Sequence, residues 1–484
     1  MRPGSGKVDF TPEPLVRPAG RVRLRERLTL SDGTALVVSN VIGVGIFTTP
    51  ALIASLVPSP MAMLALWATG GLLAFAGAVT YAELAKLCPD AGGEYNYLTH
   101  AFGPLAGFLT GWTSLIAGFS GAIAASAVAL VSYASHYFPS LTSPLPIASV
   151  SLVFANLSLS RQSLLAAVAI LFFAIVHILG LGPGRLAQKV LASLIVTAIV
   201  VLLIAGFLSG RGSWDHFHPT GSPLSMKDWL LALIPVMFAY SGWNAAAYVS
   251  EEMRGSGRAV GPALAMGTGI VLVLYVALNV LFLAALSLPE MAAAINVGDA
   301  SAQHLFGVAG GFLTPVFLIA FLGAISAMTI AGPRVYFAMA RDGAFLRCFS
   351  RISPRFETPA YAILLQAAWS IVLVLLGEFQ QILIYTGFGI MLSSGATVTA
   401  LYVIRHRRGL RGDSVRTLVI PAFFSVASAL MIGNALYRAP KPSLIGLLLI
   451  AAGVPLFIFS RRKDAGEALL FSSQPAVNPE GESS

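Results

Sequence analysis

Apolar runs of membrane-spanning length begin near Leu30, Met61, Pro104, Gln162, Leu186, Trp229, Pro262, Phe312, Pro359, Ile382, Leu418 and Leu444, and polar or turn-forming residues separate them. The pattern predicts twelve transmembrane helices, referred to below as the first to twelfth spans. The first run is interrupted: residues 40–47 read NVIGVGIF, with Gly43 and Gly45 inside apolar sequence. Glycine in a helix interior costs about 1 kcal/mol relative to alanine, and backbone freed from its hydrogen bonds at membrane depth costs several more. An interruption there is expected to expose backbone for a purpose.

Starts in the first half have partners in the second: Leu30 with Trp229, Met61 with Pro262, Pro104 with Phe312, Gln162 with Pro359, and Leu186 with Ile382. The recurring spacing predicts two five-helix units of opposite topology, 29–210 and 226–404, followed by two additional helices over 416–460. An inverted repeat of this kind places its site where the first helix of each unit is broken. The second unit has a matching interruption, YSGWN at residues 240–244, with Gly242 among turn-forming residues. Unwinding at Gly43 to Gly45 leaves free N–H groups and partial positive charge at the restart near Ile46, suited to a carboxylate. Carbonyls around Ile42 and Phe238 lose their helical donors and can accept from an ammonium group. An α-amino acid zwitterion carries both groups. The alternative is that the glycines only permit close helix packing.

Composition agrees with the hydropathy pattern, since 56% of the 484 residues are hydrophobic and only 11% are charged. The basic residues test the span count: 24 of the 30 fall on one side, in the 1–28 tail, alternate loops and the 461–484 tail. That side is expected to be cytoplasmic and to hold both termini, in a multi-pass protein of a bacterial inner membrane. The net charge of +9 is then a bias toward anionic lipid headgroups, and nucleic acid is not an expected partner. The first 28 residues hold no apolar segment of the kind found in a cleavable signal peptide, and the tail after Lys463 reads as disordered. Cys88 and Cys348 both fall on the cytoplasmic side of this topology, which argues against a disulfide framework.

Four segments in order resemble the amino acid–polyamine–organocation superfamily, and most closely its L-type amino acid transporter branch. They are NVIGVGIF, PDAGGEYNYLTHAFGP at 89–104, FAYSGWNAAAYVSEEM at 238–253 and GPRVYFAMARDG at 332–343. The resemblance implies an all-α five-plus-five inverted-repeat fold with the first and sixth spans broken, and transport by alternating access. Carried over by position, the substrate carboxylate would meet the backbone of Gly43, Val44, Gly45 and Ile46. The amine would meet carbonyls near Ile42 and Phe238, with Ser241, Gly242 and Asn244 bordering the site and Trp243 in the mobile part of the sixth span. Animal members of the branch bond to a heavy chain through a cysteine between the third and fourth spans. Residues 136–160 hold none, so no disulfide-linked heavy chain is expected. Proton-coupled bacterial relatives carry a lysine midway along the fifth span, where residues 190–204 hold no ionisable side chain.

Glu83, Glu251, Arg334, Glu252 and His177 fall toward the cytoplasmic ends of their helices. The first three are candidates for a salt-bridged cytoplasmic gate, the alternative being that they only snorkel to headgroups; His177 reads as a packing residue. Ser326 and Thr329 could contribute to a sodium site, although such hydroxyls usually bond back to their own helix. No ionisable side chain is expected beside the helix breaks, which favours neutral zwitterions and leaves no evident proton carrier. A polyamine or cationic amino acid permease is the alternative within the superfamily. A channel is the rival outside it, and a membrane enzyme lacks its motifs: there is no HExxH and no Gly-x-Ser-x-Gly. No metal and no cofactor is expected.

Overall fold

The computed structural model describes residues 23–459 except 153–154, 219–223, 256, 295, 308–309, 312–313, 378 and 411–413. The tail expected to be disordered after Lys463 lies outside the described residues. Thr29 opens the first span with a capping box, its hydroxyl accepting from Asp32 N–H and the Asp32 carboxylate accepting from Thr29 N–H. Helix α1 (Leu30–Val41) then stops, Ile42 and Gly43 leave the helical conformation, and α2 (Val44–Leu56) continues across a 41° bend. After the Ser59 cap comes α3 (Pro60–Leu87). Gly92 and Gly93, both at positive φ, then turn the chain back into the bundle as the short α4 (Glu94–Phe102).

The third span is made of α5 (Pro104–Thr113), a π-helical turn at Ser114–Gly118 and α6 (Phe119–Ala134). A π turn misaligns its carbonyls. Here Tyr336 donates to Ser114 O at 3.2 Å and Trp369 Nε1 to Ile116 O at 3.0 Å. The connection expected as a plain loop contains an antiparallel hairpin, β1 (Pro146–Leu152) with β2 (Ala155–Ser160). Helices α7 (Arg161–Ile178) and α8 (Leu181–Leu208) follow, the latter starting five residues before the expected Leu186.

In the second half, α9 (Met226–Ala239) gives way at Tyr240 to a turn, a single helical turn α10 (Ala245–Tyr248) and a 3-10 turn at Ser250–Glu252. Then come α11 (Val260–Ala285), the short α12 (Leu288–Ala293) and α13 (Val297–Phe306), α14 (Thr314–Arg341) and α15 (Ala360–Leu376). The chain closes with α16 (Phe379–Arg407), α17 (Ile420–Arg438) and α18 (Pro440–Ala451). Among the described residues nine helical stretches are long and apolar enough to cross a membrane, and the bent α1–α2 pair makes a tenth. The protein is therefore an all-α polytopic membrane protein.

Helix α11 packs against both α1 and α3, so its buried face adjoins the broken span. From that face Tyr275 donates to Val41 O at 2.7 Å and lies 3.3 Å from Ala239 O, the last helical carbonyls before the two breaks. One phenol thus serves both interruptions. Trp67 and Tyr240 stack around it, with ring centroids 5.7 and 5.0 Å away. The two broken spans touch directly at Gly45, where a Cβ would lie 2.7 Å from Ala239 Cα. Gly45 is therefore required by helix packing, and Gly45→Val would act first through that clash.

Replacing Tyr275 with Phe keeps the ring and strands the two carbonyls, a loss of about 1–3 kcal/mol. Thermal unfolding in detergent should show a lower midpoint for Tyr275→Phe than for wild type. An unchanged midpoint would remove Tyr275 as the clasp of the two breaks.

Candidate functional site

The N-terminus of α2 has no side-chain cap, so the first-turn N–H groups of Val44, Gly45 and Ile46 lack helical acceptors. Beside them is a cavity of about 30 Å³, bounded by Gly43, Val44 and Gly45 of the first break, Phe238 and Ser241 of the second, and Ser126 of α6. A neighbouring cavity of about 70 Å³ extends from Ser241, Gly242 and Asn244 toward the π turn of the third span, meeting Ser114 and Gly118, and to Ser393 of α16. Asn40 borders both. Gly242, at φ +100, makes the joint possible, since a Cβ there would fall 2.4 Å from Asn40 Oδ1.

A carboxyl group also faces this region. Glu94 lines the larger cavity and is buried. Its Oε1 accepts from Tyr81 Oη at 2.6 Å, Asn244 Nδ2 at 2.9 Å and Ser394 Oγ at 3.2 Å. The expectation that no ionisable side chain stands beside the breaks is thereby corrected. The sequence places Glu94 just after a span end, where it reads as a loop residue. The signal for its true position is the preceding Gly92–Gly93 pair, whose positive φ angles fold α4 back into the bundle.

The other expected residues divide. Gly43, Val44, Gly45, Phe238 and Ser241 border the smaller cavity, and Ser241, Gly242 and Asn244 border the larger. Ile42 and Ile46 are buried next to them. The Phe238 carbonyl already accepts Ser241 N–H at 2.9 Å, so an amine there would share it. Trp243 turns away from both cavities, its ring edge-on to Tyr81 at 4.7 Å and Phe424 at 5.9 Å, in space that Gly77 leaves open. Thr329 bonds back to Ile325 O, and Ser326 lies 3.0 Å from His177 Nε2, so both hydroxyls proposed for sodium already have partners.

Toward the end of the bundle that carries the basic loops, the site is sealed. Arg334 makes a bidentate pair with Glu252 at 2.7 and 3.0 Å, both side chains fully buried. Arg341 pairs with Glu251 at 2.7 Å, and the Glu251 carboxylate also accepts from Leu24 N–H and Ala91 N–H. Of the expected gate residues, Glu251 and Arg334 therefore lie in separate pairs, Glu251 with Arg341 and Arg334 with Glu252. Glu83 stands apart, bonded to Lys86 one turn along its own helix at 2.8 Å. The segment before α1 is strapped over these pairs: Arg27 and Leu28 N–H donate to Glu252 O, Arg254 N–H donates to Leu28 O, and Arg25 and Arg27 pair with Glu357. Below the strap, Lys189 of α8 meets Asp32 at 2.9 Å. The opposite end holds an apolar cavity of about 560 Å³ between α2, α9, α17 and α18, which shares Phe238 with the smaller cavity of the site.

A family model described as amino acid permease matches residues 28–459. The mouse b(0,+)-type amino acid transporter 1 is 29% identical over 83% of this chain and 80% of its own length. The mouse Asc-type amino acid transporter 1 is 26% identical over 92% of this chain and 83% of its own length. The human large neutral amino acids transporter small subunit 2 is 26% identical over 94% and 84% respectively. These relatives are named as transporters.

The seal makes thiol access a reporter of gating. Cys88 is buried beside it, and burial pushes its thiol up to about 11, so it stays in the unreactive form near neutral pH. In a Cys348→Ser background, Cys88 should react slowly with a maleimide. Removing one partner of a buried pair costs about 3–5 kcal/mol, so Arg334→Ala should open the seal and raise the labelling rate about tenfold or more. Equal rates would mean that the Arg334–Glu252 pair does not hold this end closed.

Proposed function

We propose, as the chain belongs to the amino acid permease family, that it is a secondary transporter moving small neutral α-amino acids by alternating access. The observation that carries this reading is the pair of opposed helix breaks enclosing a cavity with free N–H groups at Val44, Gly45 and Ile46. A carboxylate fits that helix start, and the carbonyls of the two breaks supply acceptors for the ammonium group. The units 29–210 and 226–404 then act as inverted repeats, each contributing one broken helix. The basic end is the cytoplasmic one by the distribution of Lys and Arg, with both termini there. On this reading the sealed end faces the cytoplasm, and the apolar cavity at the opposite end is the side of approach.

The size of the side-chain cavity, about 70 Å³, supports small substrates, because a cavity of about 150 Å³ is what accommodates benzene. Long cationic side chains and polyamines exceed it. Glu94 at the cavity supplies no counter-charge for an acidic side chain. The fifth span carries Lys189 in an ion pair with Asp32, engaged in closing the cytoplasmic end, so obligatory exchange or facilitated transport is the proposed mode. Neither Cys88 nor Cys348 lies in the 136–160 connection, and the reading includes no disulfide-linked partner there.

In proteoliposomes, counterflow from vesicles preloaded with alanine should exceed uptake into empty ones. Alaninamide and N-acetylalanine, each lacking one charge of the zwitterion, should compete about tenfold or more weakly than alanine. Equal competition by alaninamide would refute carboxylate capture at α2. Uphill uptake into amino-acid-free vesicles, driven by a pH gradient alone, would refute exchange.

A further inference from the structure

Two polar atoms at the larger cavity stand without protein partners among the described residues. Asn40 is nine-tenths buried and more, and its Nδ2 donates to nothing. Glu94 concentrates its three hydrogen bonds on Oε1, leaving Oε2 with no protein donor. Buried polar groups in native membrane proteins are matched by protein, water or ligand, so the unpartnered Asn40 amide beside the Glu94 carboxyl marks a polar place in this cavity. The two groups are complementary: one is a donor, the other an acceptor.

We propose that Asn40 Nδ2 and Glu94 Oε2 form a side-chain subsite that recognises a hydroxyl, making hydroxy-amino acids such as serine the favoured substrates. This rests on the transport of α-amino acids proposed above. A hydroxyl donates one hydrogen bond and accepts others, so it satisfies both groups at once. An ammonium group only donates and leaves Asn40 unpaired; a methyl group leaves both unpaired. Sites built to bond a substrate hydroxyl reject the analogue lacking it, because the buried polar groups are then stranded. The subsite is continuous with the main-chain site: Asn40 is the last-turn residue of α1 that borders both cavities, and the side chain of a zwitterion seated at α2 leaves the smaller cavity past it.

The orientation of Glu94 is fixed from behind. Tyr81, Asn244 and Ser394 present three donors to one oxygen, so the second oxygen is turned to the cavity. Glu94→Gln exploits this. Its amide oxygen must face the same three donors, which points the NH₂ group into the cavity beside the Asn40 NH₂. The subsite then offers two donors and no acceptor, and the size of the pocket is unchanged.

The test is competition for counterflow by serine and 2-aminobutyrate, which differ only by hydroxyl against methyl. Wild type is expected to favour serine by about tenfold or more, the scale of a hydrogen bond to a charged group. Glu94→Gln is expected to bring the ratio to near unity or invert it. Equal inhibition by the two compounds in wild type overturns the proposal even where the variant fails to fold. A serine preference that persists unchanged in Glu94→Gln also overturns it, and if that variant instead loses a pH-gradient response, the carboxyl is a proton carrier. Failure of the underlying reading looks different: wild-type vesicles would then exchange none of serine, 2-aminobutyrate and alanine.

Discussion

Backbone that leaves a helix inside a bilayer must find partners within the protein, because the lipid offers none. Most of this structure can be read as the answer to that requirement. The first and sixth spans each give up their ladder near the middle, and the carbonyls released at Val41 and Ala239 converge on the single hydroxyl of Tyr275. The N–H groups released at the other side of the first break stand beside the smaller cavity without helical acceptors. The third span repeats the device on a smaller scale, with Tyr336 and Trp369 taking up the displaced carbonyls of the π turn so that Ser114 and Gly118 can border the cavity. Tyrosine and tryptophan suit this work, since each buries an apolar body and carries one donor at its edge.

The seal at the basic end of the bundle follows a different rule. Buried ion pairs contribute little net stability when both partners are desolvated, yet breaking one leaves a charge in a poor medium. Such pairs are well suited to a switch that must be either made or hydrated. Here they are reinforced by peptide groups: the strap before α1 adds a short β-bridge between Leu28 and Met253 and ties the end of the sixth span to the start of the first. The seal therefore joins the same two spans that the substrate site joins, at a second level.

Much of this was legible in the sequence. The all-α polytopic character and both helix breaks follow from hydropathy and from glycine placement, with nine spans and one bent pair among the described residues where twelve runs were expected. Three features were not, and each for a tertiary reason. Glu94 depends on a glycine pair that reverses the chain, so its depth is not given by its distance from a span end. Trp243 lies in the broken stretch as expected, yet the missing Cβ of Gly77 on a neighbouring helix gives its ring a place away from the cavities. The gate carried the right residue types, but sequence position does not choose between Glu251 and Glu252 for Arg334, and Glu83 has a nearer basic neighbour in Lys86. Asn40, inside NVIGVGIF, is a fourth: an asparagine near a helix end has many ordinary uses, so its type alone does not mark a cavity-lining role.

The absence of side-chain atoms at Gly45 has a mechanical consequence. With no side chain at Gly45, α2 and α9 meet backbone to backbone, a Cβ there falling 2.7 Å from Ala239 Cα. The other half of the first span, α1, is moored through Asp32 to Lys189 of α8 and through the strap to the far end of the sixth. The two halves of a single membrane helix are therefore anchored to different neighbours. Ile42 and Gly43, the two residues between them, are the joint at which those separate anchorages meet, across a bend of 41°.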